Sequence, residues 1–185
     1  MVKKSNFVPC ACCVKKVRQL ERRIKTLERI SSTDALTGLK NRGAFNDDLK
    51  RAVARNMRNK TPFTLALLDV DHFKKINDTY GHPFGDCMLK KLAKILMNEC
   101  RIDDFIARTG GEEFGIILHG TSLLGAKVSI ERMLITIQDK LVYNNVRATV
   151  SIGIGEYTEA GAIYHRVDKA LYVSKQNGRN RVTAV

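Results

Sequence analysis

The chain has 185 residues, of which 44% are hydrophobic and 28% are charged, as in an ordinary globular protein with one sizeable core. Lys and Arg outnumber Asp and Glu by 32 to 19, which gives a formal net charge of +13. No apolar run reaches the roughly 18 residues that a membrane-spanning helix needs, and no apolar stretch follows the basic first residues as it would in a signal peptide. We therefore expect a cytoplasmic protein without membrane insertion.

The excess positive charge would suit binding to a nucleic acid, an anionic membrane surface or a polyphosphate ligand. The basic residues are dispersed, and they do not interleave with aromatic residues as in an RNA-binding sheet. We therefore interpret most of them as a solvated basic surface. A basic nucleic-acid-binding domain remains as an alternative, although we expect no nucleic acid partner.

Five cysteines are present, and three of them, Cys10, Cys12 and Cys13, cluster near the N-terminus. An odd number in a cytoplasmic protein favours free thiols over a disulfide framework. The cluster could bind a soft metal or sense oxidation. A tetrahedral metal site needs more ligands than this short leader supplies, unless two chains share them.

Helical periodicity begins near residue 14, where Val17, Leu20, Ile24 and Leu27 form an apolar stripe among charged residues. The stripe is shorter than the three or four heptads, roughly, that identify a coiled coil. Two interpretations stay open: an amphipathic helix that packs on its own domain, or the short stalk of a dimer. We divide the chain into a leader of residues 1–30 and a domain of residues 31–185.

Hydrophobic periodicity predicts the elements of the domain in chain order. Ser31 to Asp34 offer N-cap chemistry for the segment 34–41, which is predicted to be a structured loop. The segment 71–82 is predicted to be a loop with a short helical turn near Lys74. The other predicted elements are a helix at 42–56, a strand at 63–69, a helix at 84–100, a hairpin at 105–109 and 113–118, a helix at 122–140, a strand with one buried face at 146–152, a helix at 161–176 and an edge strand at 181–184. This order predicts an α+β fold with a mainly antiparallel central sheet flanked by helices.

Acidic residues occur at two predicted strand ends. Asp69 closes the strand at 63–69, and Glu112 and Glu113 follow Gly110 and Gly111 in the predicted hairpin turn. We expect these glycines to adopt backbone angles that other residues avoid. Because neighbouring carboxylates repel, a divalent cation is a natural partner for them. The pattern predicts an oxygen site for Mg²⁺ and phosphate groups.

The stretch Arg108-Thr-Gly-Gly-Glu-Glu-Phe114 resembles the signature of the GGDEF-family diguanylate cyclases. The resemblance extends in order over residues 31–185 and includes further matching segments at 34–42, 69–78, 80–82, 85–86, 151–153 and 175–181. It implies a βαββαβ core of the ferredoxin-like type, related to the polymerase palm and the nucleotidyl cyclases. Thr109 departs from the family, which usually has an aromatic residue at that position.

The resemblance implies a nucleotidyltransferase of bacterial signalling that condenses two GTP molecules into cyclic di-GMP and pyrophosphate. Each nucleotide must supply a hydroxyl and receive an attack, so two domains related by a two-fold axis are needed and we expect a homodimer. The alternative is a catalytically silent domain that binds GTP or cyclic di-GMP. Family members normally carry a sensory module, so we expect the input from a missing domain, a separate partner or the cysteine-bearing leader.

The resemblance also assigns roles to individual residues. It makes Asp69, Glu112 and the Val70 carbonyl the ligands of two Mg²⁺ or Mn²⁺ ions, and it leaves open whether Glu112 or Glu113 takes the hydroxyl proton. It makes Lys74 a catalytic residue that stabilises phosphate charge. The remaining expected substrate contacts are Lys175 and Arg179 at the phosphates, Asn77 and Asp86 at the guanine, and His82 as a further binding residue.

An inhibitory site for the product is implied by Arg101 and Asp104, because five residues separate this pair from Gly110, as in the family. Arg132 is expected to contribute from the following helix. An Arg-x-x-Asp pair by itself is also compatible with a surface ion pair between neighbours three residues apart.

Overall fold

The structure, a computed structural model, describes residue 16 and residues 32–158 and 162–185. The chain divides into two compact units, Met1–Thr33 and Asp34–Val185, and the second contains all the elements described below. The predicted stripe at 17–27, the cysteine cluster at 10–13, the boundary at 30/31 and the helix start at 161 lie outside the described residues.

The second unit consists of helices and strands in an order close to the predicted one. They are α1 (Arg42–Asn59), β1 (Phe63–Val70), α2 (Phe73–Tyr80), α3 (His82–Glu99), β2 (Phe105–Arg108), β3 (Glu113–His119), α4 (Leu123–Lys140), β4 (Val142–Tyr143), β5 (Val146–Arg147), β6 (Val150–Glu156), α5 (Ile163–Gln176) and β7 (Val182–Ala184). Among the described residues, no helix is both long and apolar enough to cross a membrane.

Five strands form one sheet in the order β2-β3-β1-β6-β7. β1 pairs antiparallel with both β3 and β6, and β2 pairs antiparallel with β3. β7 is the predicted edge strand and runs parallel to β6. The α+β class with a mainly antiparallel sheet is therefore confirmed.

Two cores cover the two faces of the sheet, as alternation along β1 requires. Ala66 and Leu68 pack in the core that contains the apolar residues of α3 and α4. Leu65 and Leu67 pack in the core formed with α1 and α5. Asp69 continues the second row, so its side chain belongs to the face covered by α1 and α5.

The predicted loop at 71–82 is wrong, because most of it forms the eight-residue helix α2. Phe73 and Ile76 are buried in the core beneath α3, and this packing stabilises a helix too short to form alone. The helix ends at Gly81, which has a φ of 84° and separates α2 from α3. Tertiary packing therefore extends the predicted helical turn near Lys74 into the full helix α2.

The predicted strand at 146–152 is also corrected, because it breaks into β5 and β6. β4 and β5 form a two-stranded hairpin across Asn144 and Asn145, whose φ values are 44° and 63°, as a two-residue hairpin turn requires. The expectation of one buried face is wrong for β6, where residues 150 to 155 are all buried. β6 lies between β1 and β7 in the sheet, and cores lie on both faces.

Free thiols are confirmed for the two cysteines that the described residues include, Cys87 and Cys100. Burial is the main cause that raises the pKa of the Cys100 thiol to about 12. A thiol of this kind is unreactive at neutral pH.

Candidate active site

Two predicted acidic residues meet where β1 ends and β3 begins. The register pairs Asp69 with Glu113, and the backbone N–H of Val70 donates to the carbonyl of Glu112 at 3.3 Å. From α5, the Lys175 ammonium lies 2.7 Å from Asp69 Oδ2. We call Asp69, Glu112 and Lys175 the carboxylate edge. The sheet register therefore brings together residues that are 43 positions apart in the sequence.

Burial is the largest electrostatic influence on the two carboxyl groups of the carboxylate edge. Burial raises the pKa of Asp69, and the hydrogen bond and charge of Lys175 act against this rise. Burial also raises the pKa of Glu112, and the nearby Asp69 carboxylate raises it further. Both carboxyl groups are therefore stronger bases than free carboxylates, and a cation beside them would favour their ionised forms.

Glu112 and Glu113 have different surroundings although they are adjacent. Asp69 and Lys175 act electrostatically on Glu112. The exposed Glu113 instead lies close enough to Tyr164 to add to the rise in the pKa of its hydroxyl, which burial mainly causes. Asp69 therefore acts on Glu112, whereas Glu113 acts on Tyr164.

The hairpin of β2 and β3 is confirmed, but its glycines differ from the expectation. Neither Gly110 nor Gly111 has a positive φ. A Cβ atom at Gly110 would lie 2.3 Å from Glu113 Oε2, so a larger residue here would displace the Glu113 carboxylate from its place against the backbone. The feature of Gly110 is therefore its close contact with the Glu113 side chain and not the unusual backbone angles that we expected.

Arg108 holds the hairpin tip, a role that the sequence reasoning missed. Its Nε and Nη2 groups donate to the carbonyl of Gly111 at 3.1 and 2.7 Å, and Nη1 donates to both oxygens of Asp34 at 3.2 Å. Asp34 also accepts hydrogen bonds from the Thr37 backbone and hydroxyl. Asp34 therefore caps its own turn, while the N-cap of α1 is Asn41.

The predicted guanine-contacting residues lie on α2 and α3. A Cβ atom at Gly85 would lie 2.0 Å from Asn77 Oδ1, so the glycine allows the Asn77 amide to pack against α3 beside Asp86. The Oδ1 atom is buried without a hydrogen-bond partner, which is costly unless a ligand supplies one. Asp86 is half-buried within α3, four residues after its start at His82, and therefore does not cap the helix.

The remaining predicted phosphate contacts come from two elements. Lys74 is exposed in the first turn of α2. Arg179 follows α5 in a turn with a φ of 60°, and its charge acts on Asp69. Lys175 bonds directly to Asp69, a contact that the sequence reasoning did not anticipate. Within the described residues, Lys175 of α5 and Arg179 of the following turn thus both act on Asp69.

The three predicted inhibitory residues line one small pocket, which we call the Arg101 pocket. It has a volume of about 20 Å³ and includes Arg101, Asp104, Arg132 and Glu99. Asp104 Oδ2 accepts a hydrogen bond from the Arg101 backbone at 2.9 Å, and Arg132 Nε lies 3.7 Å from Glu99 Oε2. Such a volume holds about one water molecule, so a nucleotide would have to bind across its mouth.

A divalent cation suits the oxygen donors of the carboxylate edge. Burial is the main cause of the raised pKa values of Asp69 and Glu112, and a hard cation with oxygen ligands would offset this cost by favouring the ionised forms. In the described part of the chain, no group of three or more His, Cys, Asp or Glu side chains is placed to bind a metal. A cation at this edge would therefore need further oxygen ligands beyond the two carboxylates.

The fold and site define a domain of the nucleotidyl cyclase type. The sequence profile described as "Diguanylate cyclase, GGDEF domain" matches residues 31–181. The chain belongs to this family, whose members use divalent metal ions.

Individual relatives agree with this assignment. The diguanylate cyclase DgcP of Pseudomonas aeruginosa is 44% identical over 156 residues, which cover 81% of this chain and 23% of that protein. The coiled coil and GGDEF domain of DgcB from Caulobacter crescentus, solved in complex with c-di-GMP, has a TM-score of 0.88 at 34% identity and covers 95% of this chain and 96% of that one. The active GGEEF domain of a diguanylate cyclase from Vibrio cholerae has a TM-score of 0.74 at 34% identity, with 78% and 96% covered.

The curated relatives are longer proteins. The chain spans between 23% and 50% of the length of the first four that it matches. The similarity therefore concerns the GGDEF domain and the segment just before it.

Proposed function

We propose that this chain is a diguanylate cyclase that condenses two GTP molecules into cyclic di-GMP and two pyrophosphates. The observation that carries the proposal is the meeting of Asp69 and Glu112 at neighbouring strand ends, beside Lys175, in a chain of the GGDEF family. The Gly-Gly-Glu-Glu-Phe spelling is that of the active Vibrio cholerae domain. Because GTP is the substrate, we place the reaction in the cytoplasm.

In each of the two steps, a ribose 3′-oxygen attacks the α-phosphorus of the other GTP. The new P–O bond forms as the bond to the bridging β-phosphate oxygen breaks, and pyrophosphate leaves with that electron pair. We assign acceptance of the hydroxyl proton to Glu112, because it is the glutamate on which Asp69 and Lys175 act electrostatically. The Lys74 and Arg179 cations offset the charge that develops on pyrophosphate.

Guanine selection is assigned to Asn77 and Asp86. The unpartnered Oδ1 of Asn77 supports this role because it is buried and lacks a protein donor. The Asp86 carboxylate can accept from guanine N1 and its exocyclic amine together. Adenine offers no such pair of donors, so it would leave the carboxylate unsatisfied. His82, exposed at the first residue of α3, is proposed as an additional contact.

Asp69, Glu112 and the Val70 carbonyl would hold the divalent metal, for which we propose Mg²⁺ or Mn²⁺ with two ions per site. When bound, the metal would neutralise phosphate charge and favour ionisation of the attacking hydroxyl. Lys175 restrains the Asp69 carboxylate through its 2.7 Å contact. Arg108 fixes the hairpin tip that carries Glu112.

Catalysis requires two copies of the domain, because a single site cannot present both a hydroxyl and a phosphate in line. We propose that the stripe of Val17, Leu20, Ile24 and Leu27 mediates this homodimer, supported by the coiled coil that precedes the related Caulobacter crescentus domain. Specific activity should then rise with protein concentration. Substitution of Ile24 and Leu27 by polar residues should lower the activity. Activity per chain that is constant over a hundredfold dilution would instead indicate a permanent dimer.

We further propose that cyclic di-GMP inhibits the enzyme at the Arg101 pocket. Related GGDEF domains have been solved with this nucleotide, and three of the side chains that line the pocket are those predicted from the family. The activating signal would come from a sensory domain or a separate partner, as with the related cyclase SiaD, whose structure contains its activator SiaC.

Incubation with GTP and Mg²⁺, followed by chromatography of the products, tests the proposed activity directly. Cyclic di-GMP and pyrophosphate should form, and ATP should give no cyclic product. GTP binding without product at any protein concentration would instead indicate a silent binding module. Tight, salt-sensitive DNA or RNA binding without GTP binding would favour the nucleic-acid alternative.

A further inference from the structure

Asp71 is a buried carboxylate to which neither the sequence reasoning nor the mechanism above assigns a role. Its side chain is among the most buried charged groups, with the residue 4% exposed. Ser151 Oγ donates to Oδ1 at 2.6 Å, and Thr149 Oγ1 donates to Oδ2 at 2.7 Å. The backbone N–H of Asn180 donates to the same Oδ2 at 3.1 Å. Three donors from two separate segments therefore converge on one carboxylate.

The Asn180 contact connects Asp71 to an unusual turn. Gly178, Arg179 and Asn180 follow α5 with φ values of 103°, 60° and 47°. Consecutive left-handed residues are disfavoured when they are not glycine, and they persist where surrounding contacts hold them. The backbone N–H of Arg179 donates to the Ser174 carbonyl at 3.0 Å. The backbone N–H of Asn180 donates to the Asp71 carboxylate.

The backbone of this turn carries the Arg179 side chain. The positive charge of Arg179 acts on Asp69, so the guanidinium lies near the carboxylate edge. Asp71 itself lies two residues beyond Asp69, just after β1, and its own N–H donates to the Thr149 carbonyl at 2.9 Å. One buried carboxylate therefore ties the end of β1 to the turn that carries the phosphate-binding arginine.

We infer that Asp71 is a positioning residue that fixes the turn at 178–180 so that Arg179 faces the terminal phosphates of GTP. The inference rests on the proposed function, because it needs a nucleotide whose phosphates reach Arg179. A carboxylate suits the position since both oxygens only accept hydrogen bonds, as the three donors require. The Asp71→Asn substitution would keep one oxygen as the acceptor for Asn180 and Thr149 and turn the new amide group toward the Ser151 hydroxyl, so this variant is conservative.

A double-mutant cycle on nucleotide binding tests the inference, with equilibrium affinities for GTP and GDP measured for Asp71→Ala, Arg179→Ala and the double variant. Loss of a charge-assisted contact weakens binding by about tenfold or more. Each single variant should therefore lose about tenfold in GTP affinity and less in GDP affinity. The double variant should lose about tenfold rather than about a hundredfold, because coupled residues are not additive.

Two further variants separate positioning from a general structural role. Ser151→Ala removes one donor to Asp71 but leaves the bond to Asn180, so it should lower the melting temperature and leave the affinity ratio of GTP to GDP unchanged. Asp71→Asn should restore most of the affinity ratio. If Asp71→Ala does not fold, the cycle is measured with Asp71→Asn, whose smaller loss of GTP affinity should vanish in the Arg179→Ala background.

Different results overturn the two proposals. Additive losses in the double variant, or an unchanged GTP-to-GDP affinity ratio in Asp71→Ala, would show that Asp71 does not act through Arg179 even if the wild-type chain makes cyclic di-GMP. If the wild-type chain binds no GTP, both the proposed function and this inference fail. Product formation by wild type therefore distinguishes the two failures.

Discussion

Asp69 at the carboxylate edge and Arg132 at the Arg101 pocket are restrained to very different degrees. Asp69 is 8% exposed and bonds to Lys175 at 2.7 Å. The Arg132 side chain is 69% exposed, and its nearest ion-pair partner, Glu99, lies 3.7 Å away. Both regions carry polar groups suited to nucleotides, yet only the first is fixed by short bonds between buried elements.

The difference follows from what each region is proposed to do. A reacting site gains most when its charges are already in place, because no reorganisation is then needed during the reaction. A regulatory site can order exposed side chains around its ligand, at a cost in entropy that lowers affinity. Substitutions at the carboxylate edge should therefore change the reaction rate, and those at the Arg101 pocket should change affinity for the product.

The largest effect is expected from Glu112→Gln, which keeps the shape of the side chain but removes the proposed base. Cyclic di-GMP formation should fall by at least about 100-fold, the usual contribution of a general base or a preorganised charge. Chromatographic product analysis at saturating GTP measures the loss. Glu131→Gln, on the exposed face of α4, is the matched control, and a variant at Glu112 that retains most of the rate would remove it from the mechanism.

A smaller effect, on binding, is expected from Asp86→Ala. Each lost charge-assisted hydrogen bond to guanine should cost about 1.5–3 kcal/mol, or roughly 10- to 150-fold in GTP affinity. Calorimetric titration with GTP measures this, alongside the melting temperature, which should change little because Asp86 is half-buried and does not cap α3. Asp139→Ala, exposed near the end of α4, is the control. Unchanged GTP affinity with unchanged melting would exclude Asp86 from the guanine site.

At the Arg101 pocket, Arg101→Ala should raise the cyclic di-GMP concentration needed for half-inhibition by about tenfold, the value of one charged contact. Arg132→Ala should act in the same direction but more weakly, because its side chain already pairs loosely with Glu99. Initial rates with added product give both values. Arg58→Ala on α1 is the control, and equal inhibition of all four proteins would place the inhibitory site elsewhere.

The smallest effect concerns stability and pH. Glu112 has a pKa raised above its ordinary value of 4.5, mainly by burial and then by Asp69. The folded state therefore binds its proton more tightly than the unfolded state, and the favourable contribution, complete below pH 4.5, is lost as the pH rises through the raised pKa. Without nucleotide or metal, Glu112→Gln should melt above wild type at pH 7.5 by a few degrees at most, roughly. The difference should disappear near pH 4.

A pH-independent difference would contradict this explanation, since a neutral glutamine would then stabilise the domain through packing alone. Melting curves of Glu131→Gln over the same pH range provide the baseline, because that side chain is 52% exposed and pairs with the exposed Lys127. Any difference common to both variants would reflect the loss of a negative charge rather than the surroundings of Glu112.

Much of the fold could be predicted because local patterns dictated it. The apolar run at 63–69 became β1, and the stripe of Ala126, Ile130 and Ile137 became the buried face of α4. The hairpin turn followed from the Gly-Gly pair. The α2 helix was missed because packing beneath α3 stabilises it. The break after Arg147 was missed because it follows from the hairpin turn at the two consecutive asparagines. The Asn-Asn pair was the one local signal that could have revealed the second hairpin.

By itself, the sequence determined which chemical groups are available and, through the family resemblance, the residues of the proposed site. Only the tertiary structure decided how those groups are held. Arg108 reaches Asp34 across 74 residues and Asp71 reaches Asn180 across 109, and no periodicity within either segment indicates these contacts. Sheet register and helix packing bring such residues together, because hydrogen bonds between distant segments depend on the arrangement of the whole core rather than on local propensity.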